Sequence, residues 1–295
     1  MSDSGTASQP RILTRRRFLV GLGAAALGGT GLYGYAYGPG RHHVVVVEHD
    51  VYIPDLPAAF NGFTIAQMSD FHFGPVAEAP IVDHAVDIVN AIQPSLTVLT
   101  GDFITADHHN NQNNLDAAAR AAIALSRING PRFASLGNHD TIDLQGVIKA
   151  LVSRKIPVLR NARVALESKG ERMWLAGVAD ICLDLPDPLK TLPEYTLNEP
   201  VILLGHAPDY VDDIVKVTKV HNRRCDLMLC GHTHGGQVNL PLVTRGMLPD
   251  WGKKYVQGPF QRESTLLYVN RGLGTIHLPI RFNAPPEITI FHLHA

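Results

Sequence analysis

Cysteine is scarce, with three in 295 residues. A number that is both small and odd excludes the disulfide framework of a small secreted scaffold. Net charge is scarce as well: a formal −1 argues against a nucleic-acid binder. No internal repeat and no low-complexity linker interrupts the chain, so one large domain is expected rather than an array. With 45% hydrophobic and only 18% charged residues, disorder is excluded and a sizeable core is within reach. Tryptophan occurs twice, but histidine fifteen times. Imidazole in that abundance points to metal ligation, its commonest specialised use.

The N-terminus reads as an address. Residues 1–17 are polar and end in Thr14-Arg15-Arg16-Arg17, and no charge follows from Phe18 to Gly40. A basic run before an apolar, Gly-rich stretch resembles a twin-arginine export signal, which a receptor reads. The alternative is one membrane-spanning helix, since 23 residues reach across a bilayer core of about 30 Å. Gly34-Tyr35-Ala36 is an imperfect cleavage site, so the segment either leaves or stays as an anchor. Residues 1–40 are therefore expected to be a signal or anchor and 41–295 the folded domain, exported and extracytoplasmic, with the export machinery and a membrane surface as partners.

Along the domain, strands are predicted at 43–49, 63–70, 96–100 and 133–136, with helices at 81–92 and 115–128 between them. The second half predicts paired strands at 163–167 and 173–178, strands at 201–204 and 227–230 around a helix at 209–217, and closing strands at 266–270 and 287–292. The strands stop at polar clusters: Ser69-Asp70, Gly101-Asp102, Gly137-Asn138-His139-Asp140, Gly205-His206 and Gly231-His232-Thr233-His234. In α/β sheets ligands bind beyond the carboxyl ends of strands, so these clusters are the candidate site.

Asp70, His72, Asp102, Asn138, His206, His232 and His234 offer oxygen and imidazole and no thiolate. That set suits two intermediate divalent ions (Mn, Zn or Fe) better than a Cys-rich structural zinc. Asp102 has two carboxylate oxygens and can bridge two ions, and Gly101 before it permits a tight turn. The spacing of His232 and His234 lets one imidazole face each ion.

The five clusters, in order, resemble the motifs of the calcineurin-like metallophosphoesterases from about Phe63 to Gln237. Gly231-His232-Thr233-His234-Gly235-Gly236-Gln237, Arg271-Gly272-Leu273-Gly274 and Pro285-Pro286-Glu287 further resemble the bacterial YkuE/YaeI-type branch. The resemblance implies a four-layer α/β/β/α sandwich with two mixed sheets. It implies Asp70, His72, Asp102 and His234 on one metal and Asp102, Asn138, His206 and His232 on the other. It makes His139 the catalytic non-ligand, stabilising a phosphate oxygen, while water shared by two dications attacks phosphorus as hydroxide. The substrate is then a phosphodiester or pyrophosphate, of envelope lipids or acylated nucleotide-sugars such as UDP-2,3-diacylglucosamine. Ala179-Asp180 departs from the two acidic residues common among relatives after Gly-Val.

Other histidines default to exposed or core roles, except His108, which sits in the polar loop after Asp102 and is a candidate substrate contact. Arg271 is a candidate phosphate contact with an ion pair as its alternative. Residues 240–260, with Trp251, form a candidate apolar lip against the alternative of simple packing. Asp140 is expected to orient or cap, and Cys230 to behave as a small hydrophobe. A rival from another class is a non-catalytic envelope-binding protein stabilised by metal; His139, which no metal requires, favours the enzyme.

Overall fold

The computed structural model describes residues 28–74, 79–240 and 244–295. The arginines of the expected export signal lie outside these residues. A helical stretch at residues 28–37 (α1) and a turn of helix at Pro39–His42 (α2) lead into the domain. Among the described residues no helix is long and apolar enough to cross a membrane.

Eleven strands follow among the described residues: β1 Val45–Tyr52, β2 Thr64–Met68, β3 Leu96–Thr100, β4 Arg132–Ser135, β5 Ala162–Ser168, β6 Glu171–Gly177, β7 Val201–Leu204, β8 Leu227–Cys230, β9 Gly258–Arg262, β10 Thr265–Val269 and β11 Glu287–His294. They form two mixed sheets, ordered β1-β11-β2-β3-β4 and β5-β6-β7-β8-β10-β9. In the first, β2, β3 and β4 run parallel, with β11 antiparallel to β2. In the second, β6, β7, β8 and β10 run parallel, with antiparallel edges β5 and β9. The central strands β3, β7 and β8 are buried throughout, as continuous apolar runs covered on both faces must be.

Three separate apolar clusters define the layers. One joins the first sheet to helices α3 (Ala79–Ile92), α4 (Asn111–Leu125) and α5 (Leu144–Ser153). The second, with Ile65, Val98 and Phe291 facing Leu175, Ile202 and Leu229, lies between the sheets. The third packs Met228, Leu203 and Val269 against α7 (Val211–Val220). The result is the α/β/β/α sandwich that the resemblance implied.

Each helix has a local cause. In α3 the apolar residues Ile81, Val82, Ala85, Val86 and Val89 recur at helical spacing and are the buried ones. Asn110 caps α4 by accepting from Gln112 N. Asp143 caps α5 by accepting from Gly146 N at 3.1 Å. The remaining helices, α6 (Pro188–Thr191) and α8 (Thr244–Met247), are single turns.

Candidate metal centre

Both sheets direct the carboxyl ends of their parallel strands to one edge. Pairing between β2 and β3 continues past the strands, with Asp70 N donating to Gly101 O at 3.0 Å and Phe71 N to Asp102 O at 2.8 Å, so Asp70, His72 and Asp102 are fixed relative to one another. The backbone there is unusual: Asp70, His72, Asp102, His232 and His234 all have φ between 50° and 74°. Left-handed conformations are disfavoured for these residue types, and their concentration at strand ends marks a site that the surrounding packing enforces. The glycines permit the approach. A Cβ on Gly101 would lie 2.4 Å from Gly137 N, and one on Gly231 would lie 2.0 Å from Ser69 Oγ.

Six of the seven side chains converge in two groups. Asp70, His72 and His234 place ligand atoms within 4.8 Å of one another, and so do Asp102, His206 and His232. Asp102 Oδ2 stands 3.5 Å from His72 Nε2 and 3.2 Å from His206 Nε2, between the two groups. Asn138 Oδ1 and His206 Nε2 are buried without a hydrogen-bond partner. Orphaned buried acceptors are costly unless something else satisfies them. Oxygen and imidazole donors so placed fit divalent cations.

Hydrogen bonds on the outer ring nitrogens fix the tautomers. His206 Nδ1 donates to Thr100 O at 2.8 Å, which turns its Nε2 towards Asp102, and His232 Nε2 donates to Asp250 O at 2.8 Å, so Nδ1 of the His232 ring carries the lone pair. Thr105 Oγ1 donates to His72 O and lies 3.4 Å from His72 Nδ1, which leaves His72 Nε2 as an acceptor facing inward. Burial lowers the His72 pKa to about 3. Burial and then His206 lower that of His232 to about 4. Burial, His72 and Arg281 hold His234 well below its ordinary value. Burial alone would raise Asp102, but the positive charge and hydrogen bond of the His206 ring outweigh it and hold the carboxylate ionised. His206 goes the other way: burial alone would lower it, but the Asp102 carboxylate outweighs burial and raises it well above its ordinary value, so a cation entering beside Asp102 takes the place of a proton.

His139 has the opposite arrangement. Ala106 N donates to its Nδ1 at 3.2 Å, so Nε2 is the nitrogen that carries a proton, and its own backbone N–H donates to Asp102 Oδ1 at 2.9 Å. It stands edge-on to His72, centroids 4.9 Å apart. The tautomer is that of a donor. Asp140 accepts from the backbone N–H groups of Asp102, Gly137, Phe103 and Ile104 and so ties the ends of β3 and β4 together, the orienting part expected of it.

A family model described as calcineurin-like phosphoesterase matches residues 63–236, which span every one of these motifs. The chain belongs to that family. It is 36% identical to the uncharacterized metallophosphoesterase YkuE of Bacillus subtilis, over 95% of this chain and 98% of that one. It is 28% identical to the phosphodiesterase YaeI of Escherichia coli, over 96% of this chain and 100% of that one. It is 26% identical to the UDP-2,3-diacylglucosamine pyrophosphatase LpxG of Chlamydia trachomatis, over 81% and 85%. The activity class is therefore hydrolysis of phosphoester bonds, and divalent metals are the family's cofactor.

The candidate substrate contacts fare differently from one another. His108 lines a cleft of about 390 Å³ that also reaches His72 and His139. Arg271 is paired through Nε with Glu287 Oε2, so its charge is already engaged. Trp251 is not among the residues lining that cleft; its ring meets Tyr210 edge-on, while the neighbouring Asp250 and Gly252 stand against His232. Within residues 240–260, Leu248 and Tyr255 are buried, so part of this segment packs as the alternative held.

Two further residues carry no sequence signature. Arg281 is fully buried, and its Nη2 donates to the carbonyls of Arg271 and Gly272 and to His234 Nδ1 at 3.2 Å. That bond places the His234 proton on Nε2, 3.0 Å from His72 Nε2, and the proton must leave before both nitrogens can face one cation. Cys182, half-buried, holds its Sγ 3.8 Å from His232 Nε2.

Proposed function

We propose that the chain is a dinuclear phosphodiesterase or pyrophosphatase of the cell envelope. Asp70, His72, Asp102 and His234 would hold one divalent cation and Asp102, Asn138, His206 and His232 the other, with manganese, zinc or iron as the metals that suit such donors. The observation that carries this reading is the position of Asp102 between two imidazole groups, where one carboxylate can offset the repulsion of two cations. When bound, such ions supply Lewis acidity and make water nucleophilic near neutral pH.

The chain's own groups do the rest. His139 Nε2–H is the proton-bearing nitrogen near the metal ligands and serves as hydrogen-bond donor to a phosphate oxygen or as acid to the leaving alkoxide. Ala106 N fixes that proton by occupying Nδ1, and Asp102 fixes the backbone of His139. His108, beside His139 in the same cleft, contacts the substrate's leaving portion. Isoleucine, leucine and proline side chains line the other side of this cleft, which suits an acylated or lipid-linked substrate. The pyrophosphatase relative named for a diacylated nucleotide-sugar points the same way.

The Arg15-Arg16-Arg17 run supports export by the twin-arginine route, to the outer side of the inner membrane, with the N-terminal segment as signal or anchor. Exchange of Arg15 and Arg16 for lysine should trap the chain in the cytoplasm, because guanidinium and ammonium groups are not equivalent to a receptor. Unchanged export would sink that part of the reading. For the catalytic part, metal-loaded protein should be assayed on monoesters, diesters and lipid-linked pyrophosphates. A preference for monoesters would contradict it.

A further inference from the structure

The chain enters the fold at the edge that carries the metal centre. β1 is parallel to β11, with Val45 beside Glu287, and β11 is antiparallel to β2, with Thr289 opposite Gln67. The amino end of β1 therefore lies at the carboxyl end of β2, where Asp70 follows. Tyr52, at the other end of β1, is ~23 Å away along the strand.

One segment, residues 276–282, joins the entering chain to the site. On one flank, Arg281 N donates to Ala36 O at 2.9 Å and Arg41 Nη1 to Pro279 O at 3.2 Å. Gly40 is pressed so close that a Cβ would lie 2.3 Å from Arg281 O, and the Tyr35 ring meets Phe282 edge-on at 6.2 Å. On the other flank, Ile276, Leu278 and Pro279 line the cleft that reaches His72 and His139. Gln237, just past the His232–His234 loop, clamps the middle: Ile276 N donates to its Oε1 at 2.8 Å, and its Nε2 donates to Ile276 O and Leu278 O.

This rim is apolar and open. Leu278, Leu32, Tyr33, Tyr35 and Tyr37 are each about half exposed. Tyrosines gathered beside aliphatic side chains are the composition of the headgroup boundary of a bilayer. The uncharged run Phe18–Gly40 ends docked on this rim, so whatever the run enters, the rim must face.

We propose that this edge rests on a phospholipid bilayer, with Leu278 and the tyrosines of α1 at the headgroup boundary, so that the cleft opens directly onto a lipid-borne phosphoester. The docking itself stands on geometry; only the substrate clause rests on the phosphoesterase reading.

The test uses the full chain in vesicles of phosphatidylcholine and phosphatidylglycerol with brominated acyl chains, which quench nearby tryptophan. Leu278→Trp should add emission that is quenched several-fold more strongly than that added by Tyr52→Trp. Should Leu278→Trp fail to fold, Ile276→Trp reports on the same rim. Equal quenching at 52 and at the rim, or none at the rim, overturns the proposal. Hydrolysis of a small soluble diester by the native chain with manganese is measured alongside. Rim quenching without hydrolysis would refute the phosphoesterase reading while the docking stands, and hydrolysis without rim quenching would do the reverse.

Discussion

The two sheets bring different chemistry to the same edge. The first supplies the anionic part, Asp70 and Asp102, together with His72 and Asn138, whereas the second supplies imidazole alone, His206, His232 and His234. Neither half holds a complete ligand set, so the site exists only where the sheets are in register. Cross-sheet hydrogen bonds maintain that register: Gln67 Nε2 donates to Cys230 O at 2.9 Å, Ser135 Oγ to Gly205 O at 3.2 Å, and His232 N to Asp70 Oδ1 at 2.9 Å. Burial holds His72 from the first sheet and His232 and His234 from the second unprotonated, whereas Asp102 outweighs burial at His206 and raises it, so the two carboxylates of the first sheet meet their counter-charge in the second.

The contrast can be broken most severely at its shared member. Asp102→Asn removes the one carboxylate among the described residues that both imidazole groups approach, and diester hydrolysis in the presence of manganese should fall to background. Next comes His139→Ala, which in the proposed reading removes the phosphate donor and leaves the seven candidate ligands in place. Turnover should drop by on the order of 10²-fold or more while metal content stays at the native level. Emptying of a metal position in that variant would reassign His139 as a ligand.

Much of this was legible beforehand, for a physical reason. An apolar run that stops abruptly at Gly-Asp or Gly-His marks a buried strand and its catalytic end together, and β3, β7 and β8 fall at the expected residues 96–100, 201–204 and 227–230. Elements without that abruptness were harder to read. β9 is an edge strand with Pro259 and alternating exposure, so neither apolar continuity nor β-propensity announced it. The ten-residue α5 was hidden behind the Gly137-Asn138-His139-Asp140 cluster. β1 runs to Tyr52 and not to His49, because past the valine run its outward positions Glu48 and Asp50 are polar and the inward apolar signal is reduced to Val51. Arg281 was invisible: the carbonyls that satisfy its buried guanidinium belong to Arg271, Gly272, Gly274 and Ala284 on the irregular backbone around it, and backbone acceptors leave no residue-type pattern.

Arg281→Met sharpens the comparison from the second sheet's side. It removes the donor on His234 Nδ1 while leaving all seven candidate ligands in place. Outer partners shift metal affinity by about 10- to 100-fold, and since this donor holds the proton on Nε2, the nitrogen that has to face the cation, its removal should raise the affinity read in a competition titration with a chelator. Unchanged affinity would confine Arg281 to structure. The smallest effect belongs to Ser135→Ala, which deletes one buried cross-sheet hydrogen bond to Gly205 O. Stability should fall by about 1 kcal/mol, read as a shift in the urea midpoint, with turnover within twofold of native.

Elemental analysis of metal per chain, on the native protein and on Asp102→Asn side by side, tests the shared carboxylate most directly. Two divalent ions per native chain and none in the variant are expected, since each pocket loses the charge that offsets the other's cation. One ion in the native chain, or one retained in the variant, would contradict a centre built around Asp102.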